Sequence, residues 1–229
     1  MDQTPAQGEA GDNPLTCAVA RRSGTAQVLH RAPRTWAHAS CPTAFITWSP
    51  GGLAATRHLI ELGHRRIAII NGPERRLTSR ARVDGYRSAL AEAGLPFDPE
   101  LVRYGDFTHG LAHQHALDIL SLPERPTAIF AGSDHQALGT CRAAAELGLR
   151  VPADVSVVGF DDLPFADWVT PRLTTVRTPL ADMTALSARM VLRLLSGEQP
   201  ETTRVEVVTR LVVRESSGPP PVPPAGSLI

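Results

Sequence analysis

Val155–Val176 reads VSVVGFDDLPFADWVTPRLTTV, and the opening of this stretch decides the fold class. Val155, Val157, Val158 and Phe160 make an almost unbroken apolar run that stops at two adjacent carboxylates, Asp161 and Asp162. A strand that is apolar toward both faces belongs inside a parallel sheet, and open sheets of that kind bind ligands at the carboxyl ends of their strands. Asp161 therefore stands where it can touch a bound molecule.

Working outward, helical and strand-like patterns alternate. The periodicity predicts helices over Leu53–Leu62, Ser79–Ala93, Gly110–Leu120, His135–Leu147 and Leu180–Leu195. Between them it predicts strands at Ile67–Ile70, Leu101–Tyr104, Thr127–Ala131, Val155–Phe160, Leu173–Arg177 and Arg204–Val213. This alternation argues for an α/β fold, a parallel sheet with helices on both faces. Gly63, Gly94 and Gly148 each follow a helical pattern directly, as glycines that end helices in the left-handed conformation do. Before Gly51 the pattern fails: residues 1–50 mix Pro, Gly, Ser, Thr and Arg with no sustained period, and only Thr43–Trp48 looks strand-like. The segment Gly218–Pro224, GPPPVPP, is expected to be a disordered end.

Composition narrows the function classes. The 23 basic residues, all arginine, balance 23 acidic ones, so no net field draws in nucleic acid or an anionic membrane. Cys17, Cys41 and Cys141 are widely spaced and odd in number, which fits neither a disulfide framework nor a zinc motif and points to a reducing cytoplasm. The first fifteen residues carry early acids and no apolar run, and no window approaches the roughly 18 apolar residues of a membrane span, so a soluble, unexported chain is expected.

The loops after the strands bring four candidates to one edge: Arg82, Phe107, Asp134 and Asp161. Arg82 reads as a solvated helix residue or, with Arg75, Arg76 and Arg80 close by, as a fork of donors for hydroxyls or a carboxylate. Phe107 fills the core or stacks on a ligand's apolar face. Asp134, after Ser133, caps a helix, touches ligand, or does both. Asp161 needs donors, which Arg82 or sugar hydroxyls supply, while Asp162 reads as the structural member of the pair. His109 and His113 share a helix face at a spacing open to metal, but no carboxylate accompanies them in an HExxH pattern, and a solvated face is the plainer reading. No GxSxG, P-loop or GxGxxG is present, and nothing calls for a cofactor or a reaction.

Read together, GGLAATRHLIELGHRRIAIINGP, SRARVDGYRSALAEAGL, PTAIFAGSDHQALGTCRAAAELGLRVPADVSVVGFDD, PRLTTVRTPL and LVVRESS resemble, in continuous register, the effector-binding domain of the LacI/GalR family of bacterial transcription regulators. The resemblance implies a periplasmic-binding-protein type I-like fold, two α/β lobes with a small effector between them. It implies an effector-binding domain over 51–217, with a nearly complete C-terminal lobe over about 51–178, a remnant of the N-terminal lobe over about 179–203 and a closing strand over 204–213. Segment 1–50 would be irregular or unrelated, and 218–229 a disordered tail. Arg82 in RxxGY and Asp161 in GFDD match positions that hold the effector's polar groups. Phe107 in GDF would be the stacking aromatic, with Thr78 and Asp134 as further contacts. The implied partners are a sugar or nucleoside-like effector, a second copy of the chain, and operator DNA reached only through a headpiece.

The departures are as informative. Residues 1–50 resemble neither the family's helix-turn-helix headpiece nor the start of its N-terminal lobe, and TWSP (Thr47–Pro50) stands where an Asp-Asn pair is usual. The expectation is a sensor whose front has been lost, which would leave the face of Leu180–Leu195 bearing Met183, Leu186, Met190 and Leu194 short of cover. The alternatives are a solute-binding protein of a transporter, a non-functional truncated product, and an enzyme on the same scaffold.

Overall fold

The computed structural model describes residues 17–22, 25–30, 43–198 and 204–222. In chain order these form β1 (Cys17–Arg22), β2 (Thr25–His30), β3 (Thr43–Thr47), α1 (Ser49–Glu61), β4 (Ile67–Asn71), α2 (Leu77–Glu92), β5 (Val102–Tyr104) and α3 (His109–Leu120). They continue with β6 (Ala128–Ala131), α4 (Asp134–Glu146), β7 (Ser156–Asp161), β8 (Thr174–Arg177), α5 (Leu180–Leu195), β9 (Arg204–Val208) and β10 (Arg210–Val212).

Six strands form one sheet in the order β10-β8-β7-β6-β4-β5, parallel throughout except that β10 runs antiparallel to β8. Period-2 alternation sends Ile67 and Ile69 to one face, where Leu59 of α1 and Val83, Tyr86 and Leu90 of α2 cover them. Ala68 and Ile70 face the other way, onto Ala112, Ala116 and Ile119 of α3 and Ala143 of α4. Both faces are therefore apolar, which is why these strands read as continuous runs. The chain passes from β4 outward to β5 and then back across to β6, so the strand order reverses between β4 and β6. That reversal opens the crevice in which open α/β sheets bind ligands.

Helix α1 begins at Ser49, four residues before its periodic pattern. Pro50 is tolerated in a first turn, where its missing N–H has no partner to lose. Gly52 is tolerated because α1 and α2 cross closely there, and Gly51 because it lies against the Phe160 ring. A Cβ on Gly52 would lie 2.5 Å from the carbonyl oxygen of Arg82, and one on Gly85 would lie 2.2 Å from that of Ser49. Gly85→Ala should thus cost about 1–3 kcal/mol by overpacking, read as a lower urea midpoint with an unchanged slope. A midpoint equal to that of the wild type would show that the crossing is looser than described.

The remaining strands make a second sheet, β1-β2-β3-β9, in which β3 and β9 run parallel. Three findings depart from the sequence pattern. Strands β1 and β2 pair antiparallel within the stretch that showed no period; two six-residue runs flanking Ser23-Gly24 were the available hairpin signal. The single strand expected over Arg204–Val213 is two, because the chain changes sheets at Thr209 while its local alternation continues unbroken. The Pro-rich end is placed as far as Val222: the Gly218 carbonyl accepts from His64 Nε2 at 2.9 Å and from Ser156 Oγ at 3.0 Å. The rest of that tail, residues 223–229, lies outside the described residues. Helix α5 packs against β3, which buries Met190 and half-buries Met183, Leu186 and Leu194, so this face has more cover than expected; Leu192 and Leu195 remain exposed.

Candidate functional site

Arg82 lies in the second turn of α2, on the face turned toward the sheet's carboxyl edge, and is 3% exposed. Its guanidinium carbon sits 4.1 Å from the ring centre of Phe160, 5.0 Å from that of Trp48 and 5.4 Å from that of Phe107. Such contacts stabilise a cation by roughly 0.5–2 kcal/mol each. Burial pulls the guanidinium down to about 10 against the opposing charge of Asp161, so it stays cationic at neutral pH. Asp161 Oδ1 is 3.6 Å from Nη2, close enough for charge pairing but long for a hydrogen bond. Nε and Nη1 are buried with no hydrogen-bond partner among the described residues. Buried donors left in this state are costly, and an acceptor brought to them is bound correspondingly well.

Asp161 closes β7 with φ +109°, and Asp162 follows with φ +57°. Two consecutive non-glycine residues in the left-handed half of the map are strained, by on the order of 1–3 kcal/mol each, and are held by what surrounds them. Burial pushes the Asp161 carboxyl above the usual carboxylate range, while the Arg82 charge, then His135, pull it back. Its neighbour faces away from the edge. The Asp162 side chain is 5% exposed and pairs with Arg177 Nε at 2.5 Å and Arg214 Nη2 at 2.8 Å. The tandem acids thus occupy different places, one at the edge and one internal.

Phe107, also at positive φ (+68°), lays its half-buried ring over Gly72, where a Cβ would come within 2.1 Å of it. Thr78 is half-buried in the first turn of α2, one turn before Arg82. Asp134 is wholly buried: Oδ1 accepts from the Thr175 hydroxyl at 2.5 Å and Oδ2 from the Leu163 N–H at 2.7 Å. Burial pushes its carboxyl up to about 7, against those two bonds. The capping role expected of it belongs to Ser133, whose Oγ accepts from the Gln136 N–H at 3.2 Å.

Arg82, Phe107 and Asp161 converge, then, with Thr78 alongside and Asp134 beneath the loop. Sequence reasoning missed two members of the cage. Trp48 precedes the glycines that hid the start of α1, and Phe160 reads as one more core residue of β7. Among the described residues, no group of three or more His, Cys, Asp or Glu side chains is arranged to share a metal ion. His113 Nε2 lies 2.9 Å from Glu146, and His115 Nε2 lies 3.1 Å from the carbonyl of Tyr104. Nor is any described helix long and apolar enough to cross a membrane.

Residues 56–217 match the family of periplasmic binding protein-like domains. The HTH-type transcriptional repressor PurR of Proteus mirabilis is 41% identical over 166 residues, 72% of this chain and 49% of the relative. The HTH-type transcriptional regulator CelR of Thermobifida fusca is 42% identical over the same shares of both chains. The solved complex of the transcriptional regulator CelR with cellobiose superposes with a TM-score of 0.71 at 39% identity, covering 78% of this chain and 54% of that one. The chain spans about half the length of the curated relatives it matches. With a parallel sheet, a strand-order reversal and the Arg82–Asp161 edge in place, the match extends from motif to architecture, and the chain belongs to the periplasmic binding protein-like family as an effector-binding domain of the LacI/GalR type.

Proposed function

We propose that the chain is the ligand-sensing part of a LacI/GalR-type transcriptional repressor, and that it takes a small sugar at the Arg82–Asp161 edge. The observation that carries this reading is the Arg82 guanidinium, buried beside a carboxylate and among three aromatic rings, with two nitrogens that find no partner among the described residues. A sugar matches it in both respects. Adjacent hydroxyls offer acceptors to Arg82 and donors to Asp161, and the C–H face of the ring lies on an aromatic such as Phe107. A nucleoside-like effector meets the same groups with its base; the cellobiose bound in the CelR complex favours the sugar. In this reading Arg82, Asp161, Phe107 and Thr78 touch the effector, and Asp134 supports the loop from below. The same reading expects a cytoplasmic setting, a homodimer, operator DNA as the regulated partner, and binding without turnover.

Thermal-shift screening against cellobiose, glucose, ribose and a nucleoside panel tests it. A ligand at a hundred times its Kd stabilises by about 2.7 kcal/mol, roughly 5–10 °C for a domain of this size. Asp161→Asn should abolish the shift. No shift with any member of the panel, or a shift that survives in Asp161→Asn, would overturn the assignment.

A further inference from the structure

Among the described residues, the chain passes between the two sheets at three places. Trp48 joins β3 to α1, Thr178 and Pro179 join β8 to α5, and Thr209 joins β9 to β10. All three lie beside the end of β7. Trp48 stacks at 5.9 Å on Phe160, and a Cβ on Gly51 would meet both the Phe160 ring at 2.8 Å and Thr209 Oγ1 at 2.9 Å. The next two residues are Asp161, at the ligand edge, and Asp162, turned inward.

The two partners of Asp162 come from different crossings. Arg177 is the last residue of β8, directly before the chain leaves for α5. Arg214 follows β10 by two positions, after the chain has returned. Arg214 is also anchored to the six-stranded sheet itself: its Nη1 donates to the Leu173 carbonyl at 2.8 Å and its N–H donates to Thr174 Oγ1 at 2.9 Å. A nearly buried carboxylate holding two guanidiniums is a strong, geometrically specific contact. Its position in the chain leaves it no freedom independent of Asp161. The two acids share one left-handed turn, so a shift of either crossing that moves Asp162 also moves the neighbouring carboxylate that faces Arg82.

We propose that Asp162 is a positioning residue whose carboxylate ties the ligand-side acid to two of the three crossings, so that the pose of Asp161 and the attachment of the second sheet are set together. This goes beyond the ligand-binding reading and rests on it only for what the tie serves. A merely structural acid would hold the fold as a whole; a tie holds the crossings.

Hydrogen–deuterium exchange on the full chain without ligand separates the two. In Asp162→Asn, peptides covering Thr174–Leu180 and Val208–Val212 should exchange roughly tenfold faster, while those in α3 and α4 keep their wild-type protection. Arg177 has an exposed side chain, so Arg177→Gln is expected to fold even if Asp162→Asn does not. It should accelerate the first of these peptides and leave the second unchanged. A uniform rise across all peptides, or no rise at either crossing, would overturn the proposal. Adding 10 mM cellobiose to the wild type is the second arm. Slower exchange at the crossings supports the ligand reading and its link to the tie. Unchanged exchange with each sugar of the panel, beside accelerated crossings in the variants, would remove the ligand reading and leave the tie standing.

Discussion

Replacing Arg82 by Met and Asp161 by Asn together is expected to yield a protein that melts higher than the wild type and no longer responds to any sugar. The guanidinium is 3% exposed and is held down to about 10 by burial, and the carboxylate paired with it, Asp161, stands 3.6 Å away. Exchanging a buried ion pair for residues of similar volume is often neutral or stabilising, by about 1–4 kcal/mol. Here the gain should fall near the lower end. The Asp161 side chain is 26% exposed, and three cation–ring contacts are lost, although the Met thioether regains part of them against the same rings. About 1–2 kcal/mol corresponds to a melting shift of roughly 2–8 °C. Arg82→Met alone behaves oppositely, because it leaves the acid without its cation. Asp161 is then raised still further, and the folded state keeps a proton that the unfolded chain releases. Stability falls as pH rises above the ordinary carboxylate value near about 4. Calorimetry at pH 5 and pH 8 reads both effects. A double variant melting well below the wild type would show that the cage and the pair are stabilising, and that the site carries no stored cost for a ligand to relieve.

Phe160→Ala is expected to be the most damaging single change, at about 3–5 kcal/mol. Its ring is wholly buried, 6.3 Å from Phe130 and 5.9 Å from Trp48, and it is the floor under Arg82 at 4.1 Å. A domain of ordinary stability has about 5–15 kcal/mol in hand, so this one side chain accounts for a large part of it. Equilibrium urea unfolding measures the loss, and a change under about 1 kcal/mol would show that the cavity collapses without cost. Phe107→Ala is the useful contrast. That ring is half-buried at the edge, so its removal should weaken ligand binding more than folding.

The contrast between these two phenylalanines shows what was legible in the sequence. Alternation and continuous apolar runs report burial on a sheet face, so β4, β6, β7 and the helices between them could be read directly, as could the acid that ends β7. Proximity across the chain is not written locally. Trp48 joins the cage where β3 crosses into α1 and Phe160 joins it from β7, and no spacing in either segment announces their meeting. Asp134 occupies the position of a helix-capping acid, yet it is turned away to Thr175 and Leu163, partners 41 and 29 positions distant. Thr209 changes sheets within an unbroken alternation because β9 and β10 differ in their neighbours and not in their own pattern. Gly218 is held by His64 and Ser156, which no compositional reading of a Pro-rich end would find.

The parallel pairing of β3 with β9 also orders events in time. Thr47 Oγ1 donates to Glu206 at 2.8 Å across 159 positions of chain, whereas strands β4 to β8 all lie between Ile67 and Arg177. A ribosome adding roughly 5 to 20 residues per second delivers β9 on the order of 10 to 30 s after β3. During that interval the five parallel strands can already assemble on their helices, while the edge of β3 that β9 will occupy stays open. The second sheet therefore waits for its closing strand through most of every round of synthesis, and its waiting edge is where a nascent chain is most exposed to pairing with a neighbour.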